Sequence, residues 1–345
     1  MSASFIPSYT CPDRNRRVLL VRRPEGIPQA EDFAFDESAP PVPGEGQFVV
    51  RNLYLSVDPA QRGWASSVAN YSQPVALGTP MRALAVGVIQ ASRHSEFAAG
   101  EFVYGWFDWQ DYALAGPEQV LTHIAAPRAP LSAYAGVLGL NGVTAYLAFN
   151  DLGRPKAGDT VLVSTAAGAV GSVVGQIARA AGCRAIGLTG ADDKVAQCTA
   201  KFGYDAALNY KTGDIAAWLR DTAPDGLNIF FDNTGGSILD TALRAMSIGG
   251  RVIQCGTASV SSWMPVPQGP RNEREVLTRR LIWSGFVIFD YLAQFGGALA
   301  ALETLVHAGQ LQYDEDIEQG LAGAPTAIGR IYAGENRGKK LMFVG

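Results

Sequence analysis

The stretch Val161-Leu-Val-Ser-Thr-Ala-Ala-Gly-Ala-Val-Gly171-Ser runs an apolar strand into a turn of small residues, then into a segment with Val170, Val174, Ile177, Ala178 and Ala181 on one helical face. A strand that feeds a helix through such a turn is built to take a dinucleotide. Ala166, Gly168 and Gly171 hold the three tight positions, where a bulky side chain would keep a pyrophosphate from the backbone amides at the helix N-terminus. The first glycine is replaced by alanine. Taken alone, the pattern also fits a tight turn with no ligand, so the neighbouring sequence has to decide.

The same unit repeats downstream. After Gly182, a helix stop, Arg184–Thr189 reads as a second strand, and Asp192 or Asp193 can cap a helix that Gly203 ends. Ala206 to Tyr210 reads as a third strand, Leu227–Asp232 as a fourth and Arg251–Gly256 as a fifth, with Trp218 and Leu219 in an intervening helix. Alternation of strand and helix predicts an α/β, Rossmann-type doubly wound parallel sheet with its ligand at the strands' carboxyl ends. The flanks differ. Arg17–Val21, Gln47–Val57, Ala83–Ala91, Glu101–Gly105 and Tyr112–Ala115 are strand-like runs between Pro and Gly turns, and the end of the chain, through Lys340–Val344, reads as a return strand. The nucleotide domain, 133–311, is thus expected to be inserted into a β-rich domain of 1–132 and 312–345 that holds the substrate. With 345 residues the chain is long enough for two cores.

Cofactor choice is legible where the second strand ends. An NAD enzyme usually carries Asp or Glu there, about 20 residues after the glycine turn, and this chain has Thr189-Gly190. With no acid to repel a 2′-phosphate, Lys194 and Tyr210 can supply it a cation and a hydroxyl. Two other readings stay open: Lys194 as a solvated surface lysine, and Asp192 and Asp193 as helix caps rather than nucleotide contacts.

Charge and composition remove several partner classes. The net charge is −4 and no basic run is present, which argues against nucleic acid. No apolar stretch reaches the roughly 18 residues of a membrane span, and Met1-Ser-Ala-Ser-Phe-Ile-Pro lacks the charged-then-apolar pattern of a signal peptide. A soluble cytoplasmic protein is the expectation. Cys11, Cys183, Cys198 and Cys255 have no metal-type spacing and His94, His123 and His307 stand apart from them, so no metal is expected and the thiols are read as reduced.

Six ordered motifs then carry a family resemblance: Leu55-Ser-Val-Asp-Pro-Ala-Gln-Arg62, Gly105-Trp-Phe-Asp-Trp-Gln110, Leu138-Gly-Leu-Asn-Gly-Val-Thr-Ala-Tyr146, Ala167-Gly-Ala-Val-Gly-Ser172, Asp232-Asn-Thr-Gly-Gly236 and Asn336-Arg-Gly-Lys339. Over nearly its whole length the chain resembles the zinc-independent medium-chain dehydrogenases/reductases, in the group of prostaglandin reductases, leukotriene B4 dehydrogenases and plant alkenal double-bond reductases. The resemblance implies a GroES-like fold for the β-rich domain, NADP(H) as cofactor, a small α,β-unsaturated carbonyl substrate and a homodimer. It places Gly168, Ala169, Val170 and Gly171 at the pyrophosphate, Lys194 and Tyr210 at the 2′-phosphate, and Asn233 beside the cofactor. Cys255, Gly256, Phe286, Val287, Ile288 and Asn336 fall near the nicotinamide half, with Thr144 close to the ring. Singly, Phe286–Phe289 also reads as a buried strand, Asn233 as a turn residue and Asn336 as part of a polar hairpin.

The chain departs from the family near the chemistry. Ser261 stands where the family usually has a tyrosine, and Ala60 and Gln61 replace a tyrosine and a methionine, so the substrate pocket is expected to differ in shape. A conjugated enone accepts hydride at its β-carbon and spreads the charge to its oxygen, which lessens the need for strong polarisation by a metal. Tyr71, in the polar loop 66–73, and Tyr54, in a strand, are the hydroxyls read as candidates to hold the enolate or protonate the α-carbon. Tyr54 reads equally as a core aromatic. Two rival functions stand: a quinone reductase of the same superfamily and a noncatalytic NADPH-binding redox sensor.

Overall fold

Through the first third of the chain, β-branched and aromatic runs broken by Pro and Gly form short strands, because such side chains pack well on a pleated surface. These are β1 (Asn15–Leu20), β2 (Phe33–Ser38), β3 (Phe48–Ser56), β4 (Thr79–Pro80), β5 (Leu84–Ser92), β6 (Phe102–Trp106), β7 (Tyr112–Ala115) and β8 (Val120–Ile124), with helices α1 (Ala60–Ala65) and α2 (Leu131–Tyr134). The middle of the chain alternates instead: α3 (Leu140–Ala148), β9 (Thr160–Ser164), α4 (Gly171–Ala180), β10 (Arg184–Thr189), α5 (Asp192–Ala200), β11 (Ala206–Asn209), α6 (Ile215–Thr222), β12 (Leu227–Asp232), α7 (Gly236–Ala245), β13 (Met246–Gln254), α8 (Glu273–Arg279), β14 (Ile282–Gly285) and α9 (Phe295–His307). It closes with β15 (Glu315–Gln319), α10 (Ala324–Ala333) and β16 (Lys339–Phe343). This computed structural model describes residues 5–68, 71–260, 263 and 265–345.

The chain divides into two units, Met1–Gly139 with Glu315–Gly345, and Leu140–Asp314. In the first, a sheet of order β15-β16-β3-β5-β6-β8 carries β7 on β3, beside a smaller sheet of order β2-β1-β4. The chain's end joins this unit by pairing: β16 runs antiparallel to β3, setting Leu341 opposite Ser56, Met342 opposite Leu55 and Phe343 opposite Tyr54. The sequence reads a single return strand here. The structure has a strand–helix–strand unit instead, in which β15 pairs parallel to β16.

The second unit holds a wholly parallel sheet of order β11-β10-β9-β12-β13-β14. Counted from β9, this is the doubly wound order in which the chain reverses direction between the first and fourth strands, leaving a crevice at the carboxyl ends of β9 and β12. A core of Leu162, Ile186, Leu188, Phe230, Leu243 and Val252 lies under the helices, each residue at most 1% exposed. Glycines stop the helices where expected: Gly182 and Gly203 have φ of +77° and +69°, a region that costs other residues. The expected cap of α5 is corrected. Ala191 is the N-cap residue, and Asp192 and Asp193 lie in the first turn, where their charge favours the positive end of the helix. Among the described residues no helix is long and apolar enough to cross a membrane.

Candidate cofactor and active site

The glycine turn is closed by atoms that leave no room for side chains. Thr165, just past β9, takes a φ of +55°, which swings the chain back on itself. A Cβ on Gly171 would then sit 2.3 Å from the Thr165 carbonyl oxygen and 3.0 Å from the Ala166 Cα. Only glycine fits. The start of α4 is held from below by Tyr204, whose hydroxyl donates to the Gly171 carbonyl at 2.6 Å and whose ring fills the space that Gly175 leaves. In the turn, the Gly168 amide donates to Thr165 and the Ser172 amide to Gly168, whereas the amides of Ala169, Val170 and Gly171 find no acceptor among the described residues. Three successive unpartnered amides at a helix N-terminus suit an anion, so the residues present fit a pyrophosphate.

Beside the turn lies a cluster that holds the next part of the wall. Asp232, at the end of β12, is 0% exposed. Its Oδ1 accepts from the Ser164 hydroxyl at 2.9 Å, the Thr234 amide at 2.8 Å and hydroxyl at 2.9 Å, and the Gly235 amide at 3.0 Å, while Oδ2 accepts from Gln254 Nε2 at 2.8 Å. Such saturation is what lets a carboxylate stay buried. Asn233 is fixed in turn: its amide donates to Ser164 Oγ and its Nδ2 to the Ser164 carbonyl, both at 2.8 Å, which leaves its carboxamide oxygen as an acceptor. The amides of Cys255 and Gly256 donate to the Asp232 carbonyl at 2.8 and 3.1 Å, and a Cβ on Gly256 would lie 2.7 Å from the Asn233 carbonyl oxygen. Burial, with the Asp232 charge adding to it, pushes the Cys255 thiol up to about 12, so it is no nucleophile at neutral pH. Ser164 and Asp232 are the residues that sequence reasoning did not single out, although Asp232 opens the Asp-Asn-Thr-Gly-Gly motif.

The remaining expected site residues fall as follows. Tyr210 follows β11, its ring packed on the core and its hydroxyl near Gly190, and Lys194 is half-buried in the first turn of α5. Thr144 is buried in α3. Just beyond β14, the Phe286 ring lies tilted against Tyr291 with centroids 4.7 Å apart, Val287 is half-buried and Ile288 buried. Ser261 lies outside the described residues. In the other unit, the Asn336 Nδ2 donates to the Gly338 carbonyl at 2.7 Å. Tyr54, on β3, packs its ring on Phe343 at 5.0 Å, and burial together with the Glu315 charge raises its hydroxyl pKa. Tyr71 is 50% exposed. Among the described residues, no group of three or more His, Cys, Asp or Glu side chains could hold a metal ion.

A doubly wound sheet with a saturated carboxylate and an open amide nest at its switch point is the architecture of a dinucleotide-binding domain. Two family models match, one for an N-terminal domain of oxidoreductases over residues 16–123 and one for zinc-binding dehydrogenases over residues 169–303. A putative NADP-dependent oxidoreductase of Bacillus subtilis is 39% identical over 95% of this chain and 97% of its own length. An NADP-dependent 2-alkenal reductase of Nicotiana tabacum is 37% identical over 96% and 97%. The crystal structure of CurA from Vibrio vulnificus in complex with NADPH superposes with a TM-score of 0.90 at 36% identity, covering 96% of this chain and 99% of that one. The chain belongs to the zinc-independent medium-chain dehydrogenase/reductase family, in the group of NADP-dependent alkenal, curcumin and prostaglandin reductases.

Proposed function

We propose that the protein reduces the carbon–carbon double bond of α,β-unsaturated ketones and aldehydes with NADPH. The observation that carries this reading is the pairing of an open amide nest at Ala169–Gly171 with a second strand that ends in Thr189-Gly190 rather than an acid. Relatives that are NADP-dependent alkenal and curcumin reductases support it. The turn Gly168–Gly171 would hold the pyrophosphate, through the open amides of Ala169, Val170 and Gly171, and Lys194 and Tyr210 the 2′-phosphate. Asn233, Thr144, Cys255, Gly256, Ser261, Phe286, Val287, Ile288 and Asn336 would shape the nicotinamide half. When bound, NADPH supplies the hydride that adds to the β-carbon of the substrate.

The chain's own part is positioning and proton supply. Because a conjugated carbonyl spreads the developing charge onto its oxygen, hydrogen-bond donors held in place suffice to stabilise it there. Tyr71 is the better-placed donor of a proton to the α-carbon, because its side chain is exposed, whereas the Tyr54 ring is packed against Phe343. With NADPH deuterated at the transferred position, the label is expected on the carbon β to the carbonyl of an enone. Label on the carbonyl carbon would mean alcohol formation, and turnover of quinones alone would favour a quinone reductase.

We further read the protein as a homodimer. The edge strand β14 leaves Ile282 and Trp283 at 55% and 42% exposure beside Leu277 at 76%, an apolar strip on an unpaired sheet edge that a second copy would cover. Light scattering is expected to give twice the chain mass and, for Trp283→Asp, a shift towards the monomer; a monomeric parent protein would sink this reading. The exposed free thiol of Cys11 suits a reducing compartment such as the cytoplasm, which cell fractionation would test.

A further inference from the structure

We propose that Lys211 is a second cation of the 2′-phosphate site and a determinant of NADPH over NADH. The inference rests on the reading above that this chain takes NADPH. It starts from Gly190, the residue that follows β10. A Cβ placed on Gly190 would lie 3.0 Å from the Tyr210 hydroxyl and 3.2 Å from the Lys211 Cε, so the two side chains converge on one point above a residue with no side chain. The absent Cβ leaves a small notch, with a hydroxyl donor on one side and the last carbon before an ammonium on the other.

Neither polar group is used by the protein. Among the described residues the Tyr210 hydroxyl has no hydrogen-bond partner and the Lys211 ammonium has no ion pair or hydrogen bond. Asp192 is occupied elsewhere: its Oδ1 accepts from Asn209 Nδ2 at 2.7 Å. The same Asn209 accepts the Lys211 amide on its Oδ1 at 3.1 Å, which fixes the backbone from which the lysine rises. One side chain therefore both engages Asp192 and fixes the backbone of the lysine. Tyr210 is anchored by packing its ring on the core under β10 and β11. A tyrosine hydroxyl and a lysine side chain that meet at one notch, with no protein partners among the described residues, suit a phosphate dianion.

The test uses the adenine half alone, which separates binding from turnover. The parent protein is expected to bind 2′,5′-ADP much more tightly than 5′-AMP. Lys211→Ala is expected to weaken 2′,5′-ADP about tenfold, close to the loss of one charged contact, and to leave 5′-AMP within twofold. Lys211→Arg keeps the charge and should retain most of the preference, while Lys211→Glu should weaken 2′,5′-ADP beyond the alanine variant. Because Lys211 is exposed, unchanged thermal unfolding is expected in each. If the parent shows no preference for 2′,5′-ADP, the NADPH reading itself fails. If the parent prefers it and Lys211→Ala keeps that preference within twofold, Lys211 is a bystander and this inference is overturned.

Discussion

Asp232→Ala is expected to cost about 3–5 kcal/mol of folding stability and to weaken NADPH binding at least tenfold. The carboxylate is the common acceptor for the Ser164 hydroxyl, the Thr234 amide and hydroxyl, the Gly235 amide and Gln254 Nε2. Each buried donor left without an acceptor costs about 1–3 kcal/mol, and water entering the gap recovers part of that loss. Binding suffers for a separate reason. Ser164 Oγ holds the Asn233 amide, and the turn at Cys255 and Gly256 hangs from the Asp232 carbonyl, so loosening this point moves Asn233, Cys255 and Gly256 together. Asp232→Asn keeps the shape but turns one acceptor into a donor facing Gln254, and should fall between parent and alanine variant. Urea unfolding and NADPH fluorescence titration measure the two effects. A stability change under about 0.5 kcal/mol with unchanged binding would show that the cluster is incidental.

The second large effect lies in the other unit. Lys339 is 4% exposed, and its Nζ donates to Asp58 Oδ1 at 2.6 Å and to the Val57 carbonyl at 2.9 Å, while the Ser56 hydroxyl bonds to the other Asp58 oxygen. Burial lowers the Lys339 pKa, and Asp58 works in the opposite direction. Breaking such a pair from one side strands a charge, so Lys339→Ala is expected to destabilise by about 3–5 kcal/mol. Replacing both partners with apolar residues of similar volume, Lys339→Met with Asp58→Leu, should recover much of that loss, since the pair's attraction is largely offset by its desolvation. Denaturant unfolding of the parent, the single variant and the double variant forms the comparison; a double variant no better than the single one would place the cost in packing against Gly136 rather than in the charge.

Much of the architecture is legible in the chain. The runs Arg184–Thr189, Leu227–Asp232 and Tyr112–Ala115 coincide residue for residue with β10, β12 and β7, because each is apolar, short and bounded by turn residues. Strands whose stability comes from neighbours are not legible. In β2, Phe-Ala-Phe-Asp-Glu-Ser, and β15, Glu-Asp-Ile-Glu-Gln, charge masks the alternation. β2 exists through its pairing with β1, and β15 through its pairing with β16, where Lys340 meets Asp316 at 3.1 Å and Glu318 at 2.9 Å. The aspartates after β10 mislead in a similar way. Asp192 has the residue type of a cap, yet its oxygen is drawn to Asn209, a partner 17 positions away.

Sequence by itself determined the strand–turn–helix that makes an amide nest and the missing acid after the second strand, because each depends on residues within a few positions of one another, and the order of short local motifs along the chain set the family. The tertiary structure alone decided how that nest is backed: Ser164 meets Asp232 across 68 residues, and the Tyr210 hydroxyl and the Lys211 Cε lie together beside Gly190. Parallel register brings such groups together, and register is fixed by the packing of the whole sheet rather than by any one segment.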